Sequence, residues 1–167
     1  MNNNFAINLP DIKNNDNKLF LKNEYDKFEG NGSNISPLIR LLSVPSGTES
    51  LAVTLYDPDA PTGSGFWHLI AYDISKNFIE IPENLNQYLF SGNTCEINFA
   101  SNDFGIKEYS GACPPIGEIH RYIFTVHSLN VAKLNVDNNA TNALIRFMIN
   151  MHTIAKASYI TTYARNI

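Results

Sequence analysis

The chain has 167 residues, of which 44% are hydrophobic and 17% charged, with a formal net charge of −4. That length reads as one domain, 1–167, able to bury about 68–70% of its unfolded surface without help from a disulfide or a metal. The acidic balance argues against a nucleic-acid partner, which needs a basic patch, and against electrostatic docking onto acidic lipid.

The N-terminal residues 1–17 are polar with one short apolar patch and read as a loose arm or edge strand. Their start, Met1-Asn2-Asn3-Asn4-Phe5, lacks the basic flank and apolar stretch of a signal peptide. No run anywhere reaches the ~20 apolar residues of a membrane span, so no integral membrane contact is expected. Residues 28–37 are rich in Gly, Asn and Ser and form a loop. Residues 38–42 read as a strand and Pro45 to Thr48 as a turn. Leu51 to Tyr56 alternates and is rich in branched and aromatic side chains, so it is a strand. Pro58 and Pro61 end it, because each removes a backbone donor. Phe66 to Asp73 is a second clear strand. Residues 77–110 are mixed, with one short helix at 83–89, and His120 to Leu129 is the best strand of the chain. Thr141 to Ser158 reads as the one strong helix, capped by Thr141, with a buried stripe of Leu144, Phe147, Met148, Met151, Ile154 and Ala155. Tyr159 to Ala164 closes the chain as a strand. Widely spaced strands with one late helix predict a mostly β fold: an antiparallel sandwich of two sheets with a C-terminal helix.

Two stretches hold the chemistry: Asp57-Pro58-Asp59-Ala60-Pro61 with His68 beyond it, and Gly111-Ala112-Cys113-Pro114-Pro115 with His120-Arg121-Tyr122 beyond that. Alternation puts His120, Tyr122 and Phe124 on one strand face, with Arg121 and Ile123 on the other. It puts His68 with Phe66, Ile70 and Tyr72. Asp57 and Asp59 leave their strand at a proline-broken end, where a sheet presents loops to a pocket. Histidine N–H groups, the Tyr122 hydroxyl and main-chain N–H groups made approachable by Gly111 suit a small anion. A carboxylate beside an anion is repulsive, so an Asp here would orient a His and keep it cationic, pair with Arg121, or take a proton from the ligand or bind an ammonium tail; the favoured split has Asp57 facing the pocket near the imidazoles and Asp59 structural against Arg121. The bland alternatives are turns for the Asp-Pro segments, a hydrogen-bonded core histidine for His68, structural roles for His127 and His152, and a packed thiol for Cys113. Cys95 and Cys113 form no Cys-x-x-Cys pair and read as reduced thiols of a cytoplasmic protein. A zinc site from His68, His120 and Asp57 fits by ligand type but lacks the spacing of many metal motifs. No nucleophile elbow, Walker loop or dinucleotide loop is present, so no catalytic residue, metal or cofactor is assigned.

Taken in order, Asn34-Ile35-Ser36-Pro37, Tyr56 to Gly65, Phe66-Trp67-His68, Asn102-Asp103-Phe104-Gly105, Gly111 to Pro115, His120 to Val126 and His152 to Ala157 resemble the phosphatidylethanolamine-binding protein family, in particular its bacterial Raf kinase inhibitor-like (YbhB/YbcL) branch. The likeness runs from about Asn31 to Arg165. It implies a two-sheet sandwich with a C-terminal helix and an anion pocket on Asp57, His68, Gly111, Pro114, His120 and Tyr122, shaped by Pro58, Asp59 and Arg121. It also implies a phosphate or phosphoethanolamine-like ligand and a regulatory or kinase- or protease-inhibitor type of role. A homodimer fits too, since bacterial relatives often pair, and the protein target is not named by the residues. Leu41 and Leu69 stand where bacterial members often have Trp, Ala112 where they have Pro and His127 where Tyr is common, which bears on ligand selectivity. The other readings are a small hydrolase or isomerase with His68 or His120 as general base, and an interaction scaffold with a vestigial pocket.

Overall fold

The alternating segments pair into two antiparallel sheets. The structure, a computed structural model, describes residues 4–13, 16–89, 97–137 and 139–165; Cys95 lies outside them. In chain order the elements are β1 (Ala6–Asn8), α1 (Pro10–Lys13), β2 (Ile39–Leu42), β3 (Ser50–Asp57), β4 (Phe66–Ser75), β5 (Glu80–Ile81), β6 (Asn98–Phe99), β7 (Ile119–Leu129), α2 (Asn142–His152) and β8 (Thr153–Ala164). The small sheet has order β1-β2-β5 and the large one β6-β4-β3-β7-β8. The main core lies between the two, where Ile7, Ile39 and Ile81 meet Val53, Leu55, Leu69, Phe124 and Val126. A second apolar cluster forms on the other face of the large sheet, where Ile145 and Ile149 of α2 meet Ala52, Ile70, Tyr72 and Leu129. Leu41, Leu69 and Ala112 are all buried in the main core.

Two expectations need correction. The N-terminal arm is an edge strand but is not loose: β1 pairs with β2, and Phe5, Ile7, Leu9 and Ile12 are buried in the main core. The helix also stops at His152. Thr141 does cap it, its Oγ1 accepting from Leu144 N at 3.3 Å. Beyond His152 the chain turns directly into β8, whose residues from Thr153 onward pair with β7 along its whole length. That segment is rich in Thr, Ile and Tyr, which suit a pleated strand, and the β7 edge supplies partners for its main-chain groups. The buried stripe of α2 is correspondingly displaced. Ile145 and Ile149 face the sheet with Met148 beside them, while Leu144, Phe147 and Met151 lie exposed. Both stripes have helical spacing, so periodicity alone could not choose between them. Phe147→Lys is accordingly expected to change unfolding stability by no more than about 0.5 kcal/mol. Ile149→Ala should cost about 2–5 kcal/mol. Urea denaturation of both variants reads the difference directly.

Candidate functional site

β3 ends at Asp57 and β7 runs alongside it, so the end of one strand and the start of the other bring Asp57 and His120 together. The His120 ring donates Nδ1–H to Asp57 Oδ2 at 2.8 Å. Asp57 Oδ1 accepts the main-chain N–H groups of Asp59 and Ala60 at 2.8 and 3.0 Å. The Pro58-containing turn is thereby folded back over the carboxylate, fixing its orientation. Asp59 points away from this cluster and makes a forked pair with Arg121, at 2.9 Å to Nε and 2.7 Å to Nη2. Those hydrogen bonds, with one more from the Arg121 main chain, hold the Asp59 carboxyl down at about 2. The pair stitches the turn to β7 on the outer face.

His68 arrives by a route that alternation does not predict. Leu55 pairs with Leu69 and Tyr56 with Trp67, so His68 is the extra residue of a β-bulge. Regular alternation would leave it beside Ile70 and Tyr72, which pack on the α2 side. The bulge turns it instead toward the main core, where its ring meets Tyr122 edge-on at 5.4 Å and Phe66 at 4.9 Å. His68 Nδ1–H donates to the Ser110 carbonyl at 2.8 Å. Burial pushes its pKa down, against the opposing pull of that carbonyl, and keeps the ring neutral. Its Nδ1–H is thus committed to the Ser110 carbonyl.

Gly111 is also placed differently from expectation. Its N–H donates to Asn34 Oδ1 at 2.8 Å, so it is not presented to a ligand. What its missing side chain permits is close packing of the loop on residues 23–25. Pro114 lies buried beside it, its carbonyl accepting from Arg165 Nε at 2.6 Å. Cys113 is half-buried, and burial pushes its thiol up, away from the thiolate form.

The Tyr122 hydroxyl is the unusual atom here. It is fully buried and has no hydrogen-bond partner in the described structure, although it lies close to Asp57 and to the Cys113 main chain. Burial, and then the Asp57 charge, raise the phenol above its ordinary value, so it remains a donor. A buried donor without an accepting partner costs about 1–3 kcal/mol.

One residue was not singled out from the sequence. Glu118 Oε2 lies 2.9 Å from His120 Nε2. Both ring nitrogens of His120 therefore face carboxylate oxygens, an arrangement that fits an imidazolium with an N–H on each side. Burial disfavours that charge, but the hydrogen bonds and charges of Glu118 and Asp57 outweigh it, and the His120 pKa is raised. The signal was present: residues 118, 120 and 122 share one face of an extended strand. Among the described residues, no three His, Cys, Asp or Glu side chains could jointly hold a metal ion. The zinc arrangement of His68, His120 and Asp57 does not assemble.

Comparison with known proteins decides the family. The family model described as phosphatidylethanolamine-binding protein matches residues 12–164. The chain belongs to the phosphatidylethanolamine-binding protein family. Within it, the chain is 41% identical to the UPF0098 protein YbhB of Escherichia coli over 133 residues, covering 80% of this chain and 84% of that one. It is 36% identical to the UPF0098 protein YbcL of the same organism over 160 residues, covering 95% and 87%. The crystal structure of E. coli YbcL, described as a new member of the mammalian family, superposes with a TM-score of 0.85 at 34% identity, covering 96% of this chain and 98% of that one. The two-sheet sandwich with its C-terminal helix is therefore the family fold. The names of these relatives state no enzymatic activity. No described helix is long and apolar enough to cross a membrane.

Proposed function

We propose that this family member binds a small phosphate-like anion at His120 and Tyr122 and acts as a regulatory or inhibitor-type binding protein rather than an enzyme, in a cytoplasmic setting. The observation that carries this is the buried Tyr122 hydroxyl, left without a partner close to Asp57, the carboxylate that also accepts from His120. An oxyanion contacting Tyr122 and His120 would satisfy the phenol and gain a charge-assisted bond to the imidazolium. Asp57 then orients and charges the ring rather than touching the ligand. An imidazolium carries no lone pair, which weighs against His120 as a general base. The raised Cys113 thiol likewise weighs against a nucleophile at this loop.

Titration calorimetry of phosphate and phosphoethanolamine into wild type and His120→Ala tests the reading. Saturable binding to wild type should fall at least tenfold in the variant. The pH dependence follows from the sign of the His120 shift. The ring stays charged somewhat above its usual value of about 6.5, so affinity holds through that pH and is lost as pH rises through the raised value. Sulfate, whose charge does not change over this range, isolates the histidine. Affinity for sulfate that is flat from pH 5.5 to 9 would sink the cationic mechanism.

A further inference from the structure

Asp57, His68, His120 and Tyr122 are only 2, 4, 3 and 0% exposed, so the cluster is closed to solvent. Glu118, in contrast, has a side chain that is 56% exposed while gripping a ring that is 4% exposed. It therefore stands at the mouth of the site and holds the outward-facing donor of His120.

The segment that carries it is a turn closed by Glu118 N–H on the Pro115 carbonyl at 3.1 Å, leading directly into β7. Gly117 has φ +88°, and a Cβ placed there would meet nothing within 4 Å. Ile116 and Ile119 on either side are exposed. A cleft of about 720 Å³, with Ile116 and Ile119 in its wall, opens beside the segment. The side-chain bond described for Glu118 is the one to His120.

Building on the anion-binding reading above, we infer that Glu118 is an internal competitor: its carboxylate occupies the ligand's position on His120 Nε2, and the site opens only to an oxyanion able to displace it. This makes Glu118 a residue that sets ligand selectivity. A tethered carboxylate acts at an effective concentration on the order of millimolar. A free monocarboxylate offers the same single charge and the same pair of oxygens, so it gains little by exchange. A phosphate or phosphate monoester brings a third oxygen and, above its second pKa of about 6, a second charge. It can bridge His120 Nε2–H to the Tyr122 hydroxyl, which Glu118 leaves unpaired. The charged groups facing His120 in this exchange are Asp57, which stays, and Glu118, which leaves, with the neutral donor Tyr122 close to Asp57. The neutral ring of His68 packs against Tyr122.

The test is calorimetric titration of inorganic phosphate and of acetate into wild type, Glu118→Gln, Glu118→Ala and His120→Ala at pH 5.5. Glu118→Ala should bind phosphate at least tenfold more tightly than wild type and should bind acetate measurably, which wild type should not. Glu118→Gln should fall between, because the amide can still accept a hydrogen bond but carries no charge. A ligand-free readout accompanies these: the His120 ring titration followed by NMR should move down in Glu118→Ala. Phosphate bound by wild type and lost in His120→Ala, but bound equally by Glu118→Ala, would overturn the competitor role and leave the head-group reading standing. Binding unaffected by His120→Ala, or absent from all four proteins, would overturn both.

Discussion

Gly111→Ala is expected to destabilise the fold by about 3–5 kcal/mol through a single methyl group. A Cβ at this position would lie 2.1 Å from the Asn23 carbonyl oxygen and 2.7 Å from both Glu24 C and Tyr25 N. All three are main-chain atoms, so no rotamer change can relieve the clash. The surroundings are also pinned. Tyr25 N–H donates to the Ala112 carbonyl at 3.1 Å and Gly111 N–H to Asn34 Oδ1 at 2.8 Å. Asn34 Nδ2 donates to the Tyr109 carbonyl at 3.0 Å, and the Tyr109 hydroxyl donates to the Asn23 carbonyl at 2.9 Å. Seating the methyl means parting this lattice, and each buried group left unpaired costs about 1–3 kcal/mol. Gly117→Ala is the control. Its Cβ meets nothing, so only the left-handed backbone is strained, at about 1 kcal/mol. Urea midpoints for the two variants should differ several-fold in their displacement from wild type. Equal displacements would mean that close packing of residues 23–25 on the loop does not constrain Gly111.

The fold was legible where one face of a strand is buried and the other has its own partner. Leu51 to Tyr56 and His120 to Leu129 alternate because the main core and the α2 side take opposite side chains. The end of β3 was legible from Pro58 and Pro61. The junction of α2 and β8 was not, because helical spacing continues through Ile154 and Ala155 while Thr153 and Ala155 already pair with β7 around a bulge at Ile154. Tertiary pairing overrode local periodicity there. The N-terminal arm reads as loose for a related reason: its apolar residues are few, but Phe5, Ile7, Leu9 and Ile12 all pack into the core.

The site was legible in its residue types and only partly in its geometry. Asp57, His120 and Tyr122 follow from a broken strand end and regular alternation. His68 does not, because a bulge is a change of register with no local signature, and it reverses the faces of the residues from His68 back to the start of β4, Trp67 among them. Glu118 was hidden by its setting in an exposed Pro-Ile-Gly-Glu turn, which reads as solvated surface, although its spacing from His120 puts both on one face. The commitment of Gly111 N–H to Asn34 is a contact over 77 positions, beyond the reach of any local pattern.

Asp57 should prove the residue on which both stability and binding depend, and two substitutions separate those roles. Asp57→Ala removes the acceptor of His120 Nδ1–H and of the Asp59 and Ala60 N–H groups at once. Breaking a buried ion pair from one side costs about 3–5 kcal/mol, because the remaining charge is left unpaired. Asp57→Asn keeps an oxygen for the turn but presents an amide to His120. The ring must then give up its Nδ1 proton and become neutral. The expected result is a smaller loss of about 1–2 kcal/mol, with anion affinity reduced at least tenfold. The pH dependence identifies the cause. In wild type the raised His120 value adds stability that is fully present below about 6.5 and disappears as pH rises through the raised value. Asp57→Asn forfeits that contribution, so its deficit should be larger at pH 6 than at pH 9, measured by urea unfolding at both. A deficit that does not change with pH would place the cost in turn geometry alone and would remove the charged His120 on which the binding reading rests.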